Sequence, residues 1–221
     1  MKDTINPLLD DVVTAVIEQQ GLSFSSLQEA ERYKANLTGQ LDASVEQAQA
    51  IFSRGLQLLG QTEHSFVRET VQQLQLHQHT PAAMKHYIET VVHTNPRALE
   101  FFSEAANSFY DCGDYQHEQD VIAVLLALFP FSPQPYIFNA TLLWRQHGIE
   151  VAALFYRQCA DFLKDPLMDY FAADCYLKNG EVEQAKQISW RALETLNQSP
   201  ESHPELTLQL QDLQQQCCGT L

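Results

Sequence analysis

Apolar residues recur at spacings of three and four along almost the whole chain, with Gln, Glu, Leu and Ala plentiful between the prolines. No stretch alternates Val, Ile or Thr with polar residues, as a strand would. The pattern predicts an all-α fold. In the first part of the chain it predicts helices over residues 1–20, 26–60, 63–77 and 81–94, of which 26–60 is either one long helix or two.

Several predicted helix starts carry a residue that can cap a helix N-terminus. Thr80, Asn95 and Asp165 each precede a proline, the residue suited to the first helical position. Ser26 and Glu29 have the spacing of a capping box. These signals predict side-chain caps at all four places.

From residue 97 a motif recurs three times. In each copy an aromatic residue lies four positions before a glycine. A new helical pattern begins two or three residues after that glycine. The glycines are Gly113, Gly148 and Gly180, and the intervals of 35 and 32 residues bracket the 34-residue period of tetratricopeptide (TPR) repeats. Each glycine is expected to adopt a left-handed conformation and to end the first helix of a helical hairpin.

Small residues near each motif would let paired helices approach closely. They are Ala105, Ala106, Ala140, Thr141, Ala152 or Ala153, Ala172, Ala173 and Ala185. Phe109, Trp144 and Tyr176 are expected to fill the space between the helices. The segment from Val121 to Phe129 is apolar on all sides, which predicts burial from all sides.

The pattern near the end of the chain predicts a helix that caps the repeats. Residues 205–216 form a Gln-rich amphipathic pattern with Leu206, Leu208, Leu210 and Leu213, and a stacked array needs a more polar terminal helix. The predicted architecture is therefore an α-solenoid in three parts. These are a helical N-terminal region over residues 1–95, three TPR hairpins over 96–196, and a capping helix with a flexible tail over 197–221.

Charge narrows the choice of partners. The chain has 13 Lys and Arg against 28 Asp and Glu, a formal net charge of −15. The few basic residues are scattered, so nucleic acid and anionic membrane are poor partners. The longest apolar run has nine residues, too few to insert in a membrane. Acidic residues near the start break any signal sequence, and five cysteines without a framework spacing indicate a reducing cytoplasm.

Candidate chemistry is sparse. His86, Glu89 and His93 share one helical face and could hold a metal, but no second ligand set is visible, so amphipathic packing is favoured. Cys217 and Cys218 are interpreted as a flexible, exposed thiol pair. No phosphate-binding glycine loop, serine nucleophile motif or paired CxxC is present. We therefore expect no enzyme activity, no cofactor and no metal.

The region from about Ala98 to Leu196 resembles the class II chaperones of type III secretion systems, the LcrH/SycD/IpgC-type TPR family. The resemblance lies in Phe109-Tyr110 with Gly113-Asp-Tyr115, in the apolar helix ending at Pro130, and in the run from Asp165-Pro166 through Ala172-Ala-Asp-Cys175 to Gly180-Glu. Glu118 and Glu150 depart from the pattern, since the family has a small residue and an aromatic residue there.

The resemblance implies a non-enzymatic chaperone of the bacterial cytoplasm. Such proteins keep secreted hydrophobic translocator subunits soluble by binding an extended P-x-L-x-x-P-type segment in a concave groove, and many dimerise through the N-terminal region. Two other functions stay open. One is the TPR partner of needle subunits in the same apparatus, and the other is a generic TPR scaffold that joins two folded proteins.

Helical rotation separates a packing stripe from a groove-facing stripe on the first helix of each hairpin. In the middle hairpin the packing stripe is Ile137, Ala140, Thr141 and Trp144. The predicted client-binding residues are Ser103, Asn107, Tyr110, Tyr115, Phe138, Leu142, Arg145, Tyr170, Asp174 and Leu177. Their aromatic, aliphatic and amide character suits an extended peptide. The alternative is that Phe138 and Leu142 are covered by the N-terminal region.

Overall fold

The computed structural model describes residues 27–77, 80–110, 113–197 and 203–219, with side chains from residue 43 onward. These residues are helical apart from short connections, and no strand occurs among them. The all-α prediction is confirmed. The predicted helix over residues 1–20, the capping residue Ser26 and Cys112 lie outside the described residues.

Ten helical elements follow one another in the described part of the chain. They are α1 (Leu27–Leu59), α2 (Ser65–His77), α3 (Pro81–Tyr87, continued by a π-helical turn at Ile88–Val92), α4 (Ala98–Tyr110), α5 (Tyr115–Leu128), α6 (Pro133–His147), α7 (Ile149–Leu163), α8 (Pro166–Lys178), α9 (Val182–Asn197) and α10 (Pro204–Gly219). The segment for which the sequence allows one helix or two is therefore the single helix α1.

The chain divides into two compact units, Met1–Ser53 and Arg54–Leu221. Of the first unit, the structure describes the helical residues 27–53. In the second unit, α2 packs on α3 and on α4, each helix from α4 to α10 packs on the next one, and α10 also packs on α8. Residues 54–95 belong to the same compact unit as the later helices. The division into residues 1–95, 96–196 and 197–221 stays a prediction.

The three motif glycines have φ angles of 68°, 95° and 83°, as predicted for glycines that end helices. Gly180 closes α8 in a Schellman motif, in which the Gly180 amide donates to the Leu177 carbonyl at 3.0 Å and the Glu181 amide donates to the Tyr176 carbonyl at 2.9 Å. Gly148 is the one residue between α6 and α7 and caps both helices.

Side-chain caps follow the sequence only in part. Asp165 accepts a hydrogen bond from the Leu167 amide at 2.9 Å, as expected. Thr80 makes no side-chain cap. Asn95 accepts from the Arg97 amide at 3.0 Å, but α4 begins two residues after the proline, at Ala98. Asp114 forms an additional cap, because its carboxylate accepts hydrogen bonds from the Gln116 and His117 amides.

The small residues predicted at helix contacts are buried, except for the half-buried Thr141. The buried ones are Ala105, Ala106, Ala140, Ala152, Ala153, Ala172, Ala173 and Ala185. Tyr176 is buried as expected, whereas Phe109 is half-buried. The prediction that the Val121–Phe129 segment is buried from all sides needs correction, because Ala127 is exposed. That side of α5 faces no other described helix.

Helix α10 presents a stripe of Leu206, Leu210, Leu213 and Cys217 to the fold, at spacings of four, three and four. Leu206 and Leu210 pack with the end of α9, and Leu213 and Cys217 join the core of α7, α8 and α9. The expectation of a flexible, exposed thiol pair is therefore wrong for Cys217, which is buried on the helix, while Cys218 is exposed. Leu208 is exposed and takes no part in the stripe.

The end of α1 is fixed to α5 at a close approach. A Cβ atom at Gly55 would lie 2.1 Å from the Asp120 carbonyl oxygen, so only glycine fits there. The neighbouring Arg54 donates to both carboxylate oxygens of Asp120, at 2.7 and 2.8 Å. Asp120 is buried and Arg54 is half-exposed, so the ion pair closes the contact from the solvent side.

Replacing Gly55 by alanine tests this contact. An alanine inside a helix normally stabilises it by about 1 kcal/mol relative to glycine. Here we expect Gly55→Ala to lower the free energy of unfolding by about 1–3 kcal/mol, because the new methyl overlaps the α5 backbone. Urea denaturation measures the change. The control Gln57→Ala, at an exposed position of the same helix, should stay within about 0.5 kcal/mol, and a stabilised Gly55→Ala variant would contradict the close approach.

The cysteines give a second test. Burial raises the pKa of Cys159 and Cys175 from an ordinary 9.0 to about 11, and burial also raises the pKa of Cys217. Since the thiolate is the reactive form, we expect iodoacetamide at pH 8 to modify Cys218 in the native protein and to leave these three unmodified until denaturant is added. Peptide mass spectrometry reads each site. Native labelling of Cys217 as fast as Cys218 would refute the packing of α10.

Because the folded thiols have raised pKa values, their ionisation favours unfolding. Their contribution to stability is fully present below pH 9 and is lost as the pH rises towards about 11.

Candidate functional site

The structure brings four of the predicted client-binding residues together around one guanidinium group. The rings of Tyr110 and Phe138 have centroids 5.0 Å apart. The Arg145 guanidinium carbon lies 5.4 Å from the centre of the Tyr110 ring and 5.5 Å from that of Tyr115. Arg145 also donates to the Tyr110 carbonyl at 3.3 Å. We call these four residues the Arg145 cluster.

Glu118 holds the Arg145 guanidinium from the protein interior. Its side chain on α5 is fully buried, and one carboxylate oxygen accepts a hydrogen bond from Arg145 on α6. A buried carboxylate needs such a partner, because desolvation without pairing is costly. About a third of the Arg145 side chain stays exposed, with 32% of its surface accessible. The cluster therefore presents an oriented guanidinium edge between two aromatic rings.

Two further buried polar groups, the Tyr110 phenol and the second Glu118 carboxylate oxygen, lie at the Arg145 cluster. Burial raises the pKa of the Tyr110 phenol well above its ordinary value of 10.0, and the Glu118 charge raises it further. Tyr110 therefore keeps its proton at all ordinary pH values. Within the described part of the chain, the Tyr110 hydroxyl and the second Glu118 oxygen have no hydrogen-bond partner.

A second group of predicted residues lies on α8. Tyr170, Asp174 and Leu177 are half-buried. Asp174 pairs with Lys178 at 2.6 Å, and the Lys178 ammonium lies 5.7 Å from the centre of the Trp144 ring on α6. Because Trp144 is the neighbour of Arg145 in the chain, this contact continues the line of aromatic and cationic groups from α6 to α8.

Trp144 differs from its expected role. The sequence pattern assigns it to the packing stripe of α6, yet 43% of its surface is exposed. Leu142, assigned to the open groove, is in turn only 2% exposed and lies in the packed interior. The two side chains lie on nearly opposite sides of α6, and the predicted packing stripe is correct for Ala140, which is buried, but wrong for Trp144. Trp144 is thus a surface residue of the site that the sequence did not indicate.

The remaining predicted residues lie apart from the cluster. Asn107 is exposed on α4, and Ser103 is half-buried with an inaccessible hydroxyl oxygen that has no partner among the described residues. No hydrogen bond or ring contact among the described residues connects either of them to Arg145. They extend the predicted surface along α4 without adding to the interactions at its centre.

The His86, Glu89 and His93 face is engaged in local contacts. His93 Nε2 lies 2.6 Å from the Leu128 carbonyl oxygen, and Glu89 is 3.8 Å from the Lys85 ammonium. Over residues 27–77, 80–110, 113–197 and 203–219, no three His, Cys, Asp or Glu side chains are grouped as metal ligands would be. In the same ranges every helix is too short or too polar to cross a bilayer.

Comparison with known proteins adds no relative: no family model, no curated protein and no solved structure matches the chain. The function is therefore inferred from the residues themselves.

Removing the cation of the buried pair tests the geometry of the cluster. We expect Arg145→Met to lower the free energy of unfolding by about 3 kcal/mol, because it leaves Glu118 buried without its partner. The double variant Glu118→Leu with Arg145→Met should recover most of this loss, since no buried charge remains. Chemical denaturation of the variants forms a double-mutant cycle.

Arg68→Met is the matched control, because Arg68 is exposed on α2. It should change stability by less than about 0.5 kcal/mol. Equal and additive effects of Arg145→Met and Glu118→Leu would show that the two side chains are not coupled.

Proposed function

We propose that the chain is a helical-repeat chaperone that binds an extended segment of a client protein across α4, α6 and α8. The observation that carries the proposal is the Arg145 cluster, in which a partly exposed guanidinium is held between two tyrosine rings by a buried carboxylate. Such a group binds backbone carbonyls well, because its donors are fixed before the ligand arrives.

The surroundings of the cluster suit a peptide more than a small molecule. Phe138 and Tyr170 offer partly exposed apolar surface, and Trp144 offers a half-exposed ring. Lys178 and Asn107 lie on either side along the same set of helices. Alternation of apolar surface with hydrogen-bond donors is what an extended chain requires, since its side chains and its carbonyls both need partners.

The TPR interpretation supports the same proposal. The three motif glycines have positive φ angles and lie 35 and 32 residues apart, near the TPR period. The helices α4 to α9, which flank these glycines, have 13 to 16 residues and pack on their sequence neighbours. TPR hairpins bind protein segments on the face of their first helices, and α4, α6 and α8 are the first helices of the proposed hairpins.

The resemblance to class II type III secretion chaperones makes the proposal more specific. We propose that the client is a secreted, hydrophobic translocator-type protein, that it is held soluble before secretion, and that this takes place in the bacterial cytoplasm. No catalytic step is part of the proposal. A generic TPR scaffold and a partner of needle subunits are the rival functions. The first would bind folded proteins, and the second would keep a needle subunit monomeric.

Two tryptophans allow a matched test. Trp144 lies on α6 beside Arg145, and Trp190 is also exposed, on α9, the second helix of its proposed hairpin. The tagged chain is used to capture proteins from extracts of its own bacterium, and mass spectrometry identifies them. Peptides that tile each captured protein are then titrated against the wild type, Trp144→Ala and Trp190→Ala, and isothermal calorimetry gives the dissociation constants.

We expect a captured protein with long apolar segments and one peptide region that binds. Trp144→Ala should weaken this peptide about tenfold, because an exposed aromatic at the site acts as a binding hot spot. Trp190→Ala should bind like the wild type. Capture of folded proteins alone, with no binding peptide, would favour the scaffold, and equal effects of both substitutions would place the binding surface elsewhere.

A further inference from the structure

Helix α7 carries a row of exposed apolar side chains that no described helix covers. Val151, Leu154 and Phe162 are all exposed, with the exposed Gln158 between the last two. Their spacings of three, four and four residues place them on one face of the helix. Phe131, which is 81% exposed, stacks on Phe162 with ring centroids 6.3 Å apart. Several exposed apolar side chains on one helical face indicate an interaction surface, unlike single exposed residues.

The charges beside the row follow a definite order. Glu150, Arg157 and Asp161 are exposed at positions that place them on one flank of the row, and the exposed Lys164 is the left-handed residue directly after α7. The other side of the helix is buried through Ala152, Tyr156 and Ala160, among others. Along the chain these four charges follow the order negative, positive, negative, positive. Read in the reverse direction it is positive, negative, positive, negative, so an antiparallel copy of the same flank is opposite in sign at every position.

We infer that this face binds a second copy of the chain, with the two α7 helices antiparallel across a twofold axis at Gln158. A twofold interface uses the same patch on both subunits and must therefore be complementary to itself. In this pairing Leu154 lies opposite Phe162 of the partner subunit. Glu150 lies opposite Lys164 of the partner subunit, and Arg157 lies opposite Asp161 of the partner subunit.

The charge order favours a second copy over an unrelated protein. A partner of uniform charge would meet like charges at half of the flank positions, whichever sign it carried. Asp161 also pairs with Arg191 of its own chain at 3.0 Å, which holds its carboxylate at the rim of the row. The net charge of −15 on each copy opposes association, so the dimer is expected to be weak and to form at high protein concentration.

This dimer is independent of the client site. The α7 row consists of second-helix residues, whereas the Arg145 cluster is built on α4, α5 and α6. It also differs from dimerisation through the N-terminal region, because every residue that it requires lies between Phe131 and Lys164. Failure of the dimer would leave the proposed chaperone function untouched.

A cysteine at the axis gives the sharpest test, because only a residue on a twofold axis meets its own copy. In the full-length chain with Cys218→Ser, we expect Gln158→Cys to form a disulfide-linked dimer under mild oxidation. The control Gln187→Cys, on the exposed face of α9, should not form one. Non-reducing electrophoresis and mass spectrometry identify the link.

Charge exchange tests the orientation. By sedimentation equilibrium at high micromolar concentration, Glu150→Lys or Lys164→Glu alone should raise the dimer dissociation constant about fivefold, because each places like charges opposite each other twice. The double exchange should restore the original value, and Leu154→Ser should abolish the dimer. A monomer at all concentrations, or a dimer that Gln158→Cys does not cross-link and Leu154→Ser does not weaken, would overturn the inference.

Discussion

Pairing of buried carboxylates with arginines from other helices is the constraint on which the folded region depends. Glu118, Asp120 and Asp169 are buried, and each is held by an arginine of another helix that remains partly exposed. Burial raises the pKa of Asp169 even though its arginine partner opposes the shift, which shows how strongly desolvation acts in this interior. A slip of one helix along its neighbour would leave a desolvated charge unpaired, so these pairs select one arrangement of the helices. Arg145, the centre of the Arg145 cluster, is part of the same set.

Much of the fold was predictable, because it follows from signals that are local in the chain. Helical periodicity gives α2 through α10 to within a few residues, and the positive φ angles of the motif glycines follow from their place after an aromatic turn. The side-chain cap at Asp165 needs only its neighbour Pro166. Thr80 carries the same signal and forms no cap, since a threonine hydroxyl caps only when its own backbone angles aim it at the helix.

The errors concern which side of a helix faces water. Trp144 and Leu142 lie on nearly opposite sides of α6, and the apolar pattern of this helix does not say which of the two its neighbours cover. Cys217 follows Leu213 by four residues, so its burial extends the leucine stripe of α10 by one further turn. In the sequence, Glu118 is a departure from the family pattern and an acid with no assigned partner. An acid in an apolar helix, with one arginine on the next helix, is the signal that would have identified the pair, and it depends on contacts 27 residues apart in the chain.

The single-residue connection at Gly148 limits how this protein can diverge. One glycine serves as the end of α6 and the start of α7, so no further residue separates the two helices. An inserted residue would therefore change which side of α7 faces α6. The stretch between α9 and α10 is longer, with six residues between Asn197 and Pro204. Length variation among descendants of this sequence should therefore accumulate after residue 197 and be rare at residue 148, where an insertion would disturb the packing of two helices at once.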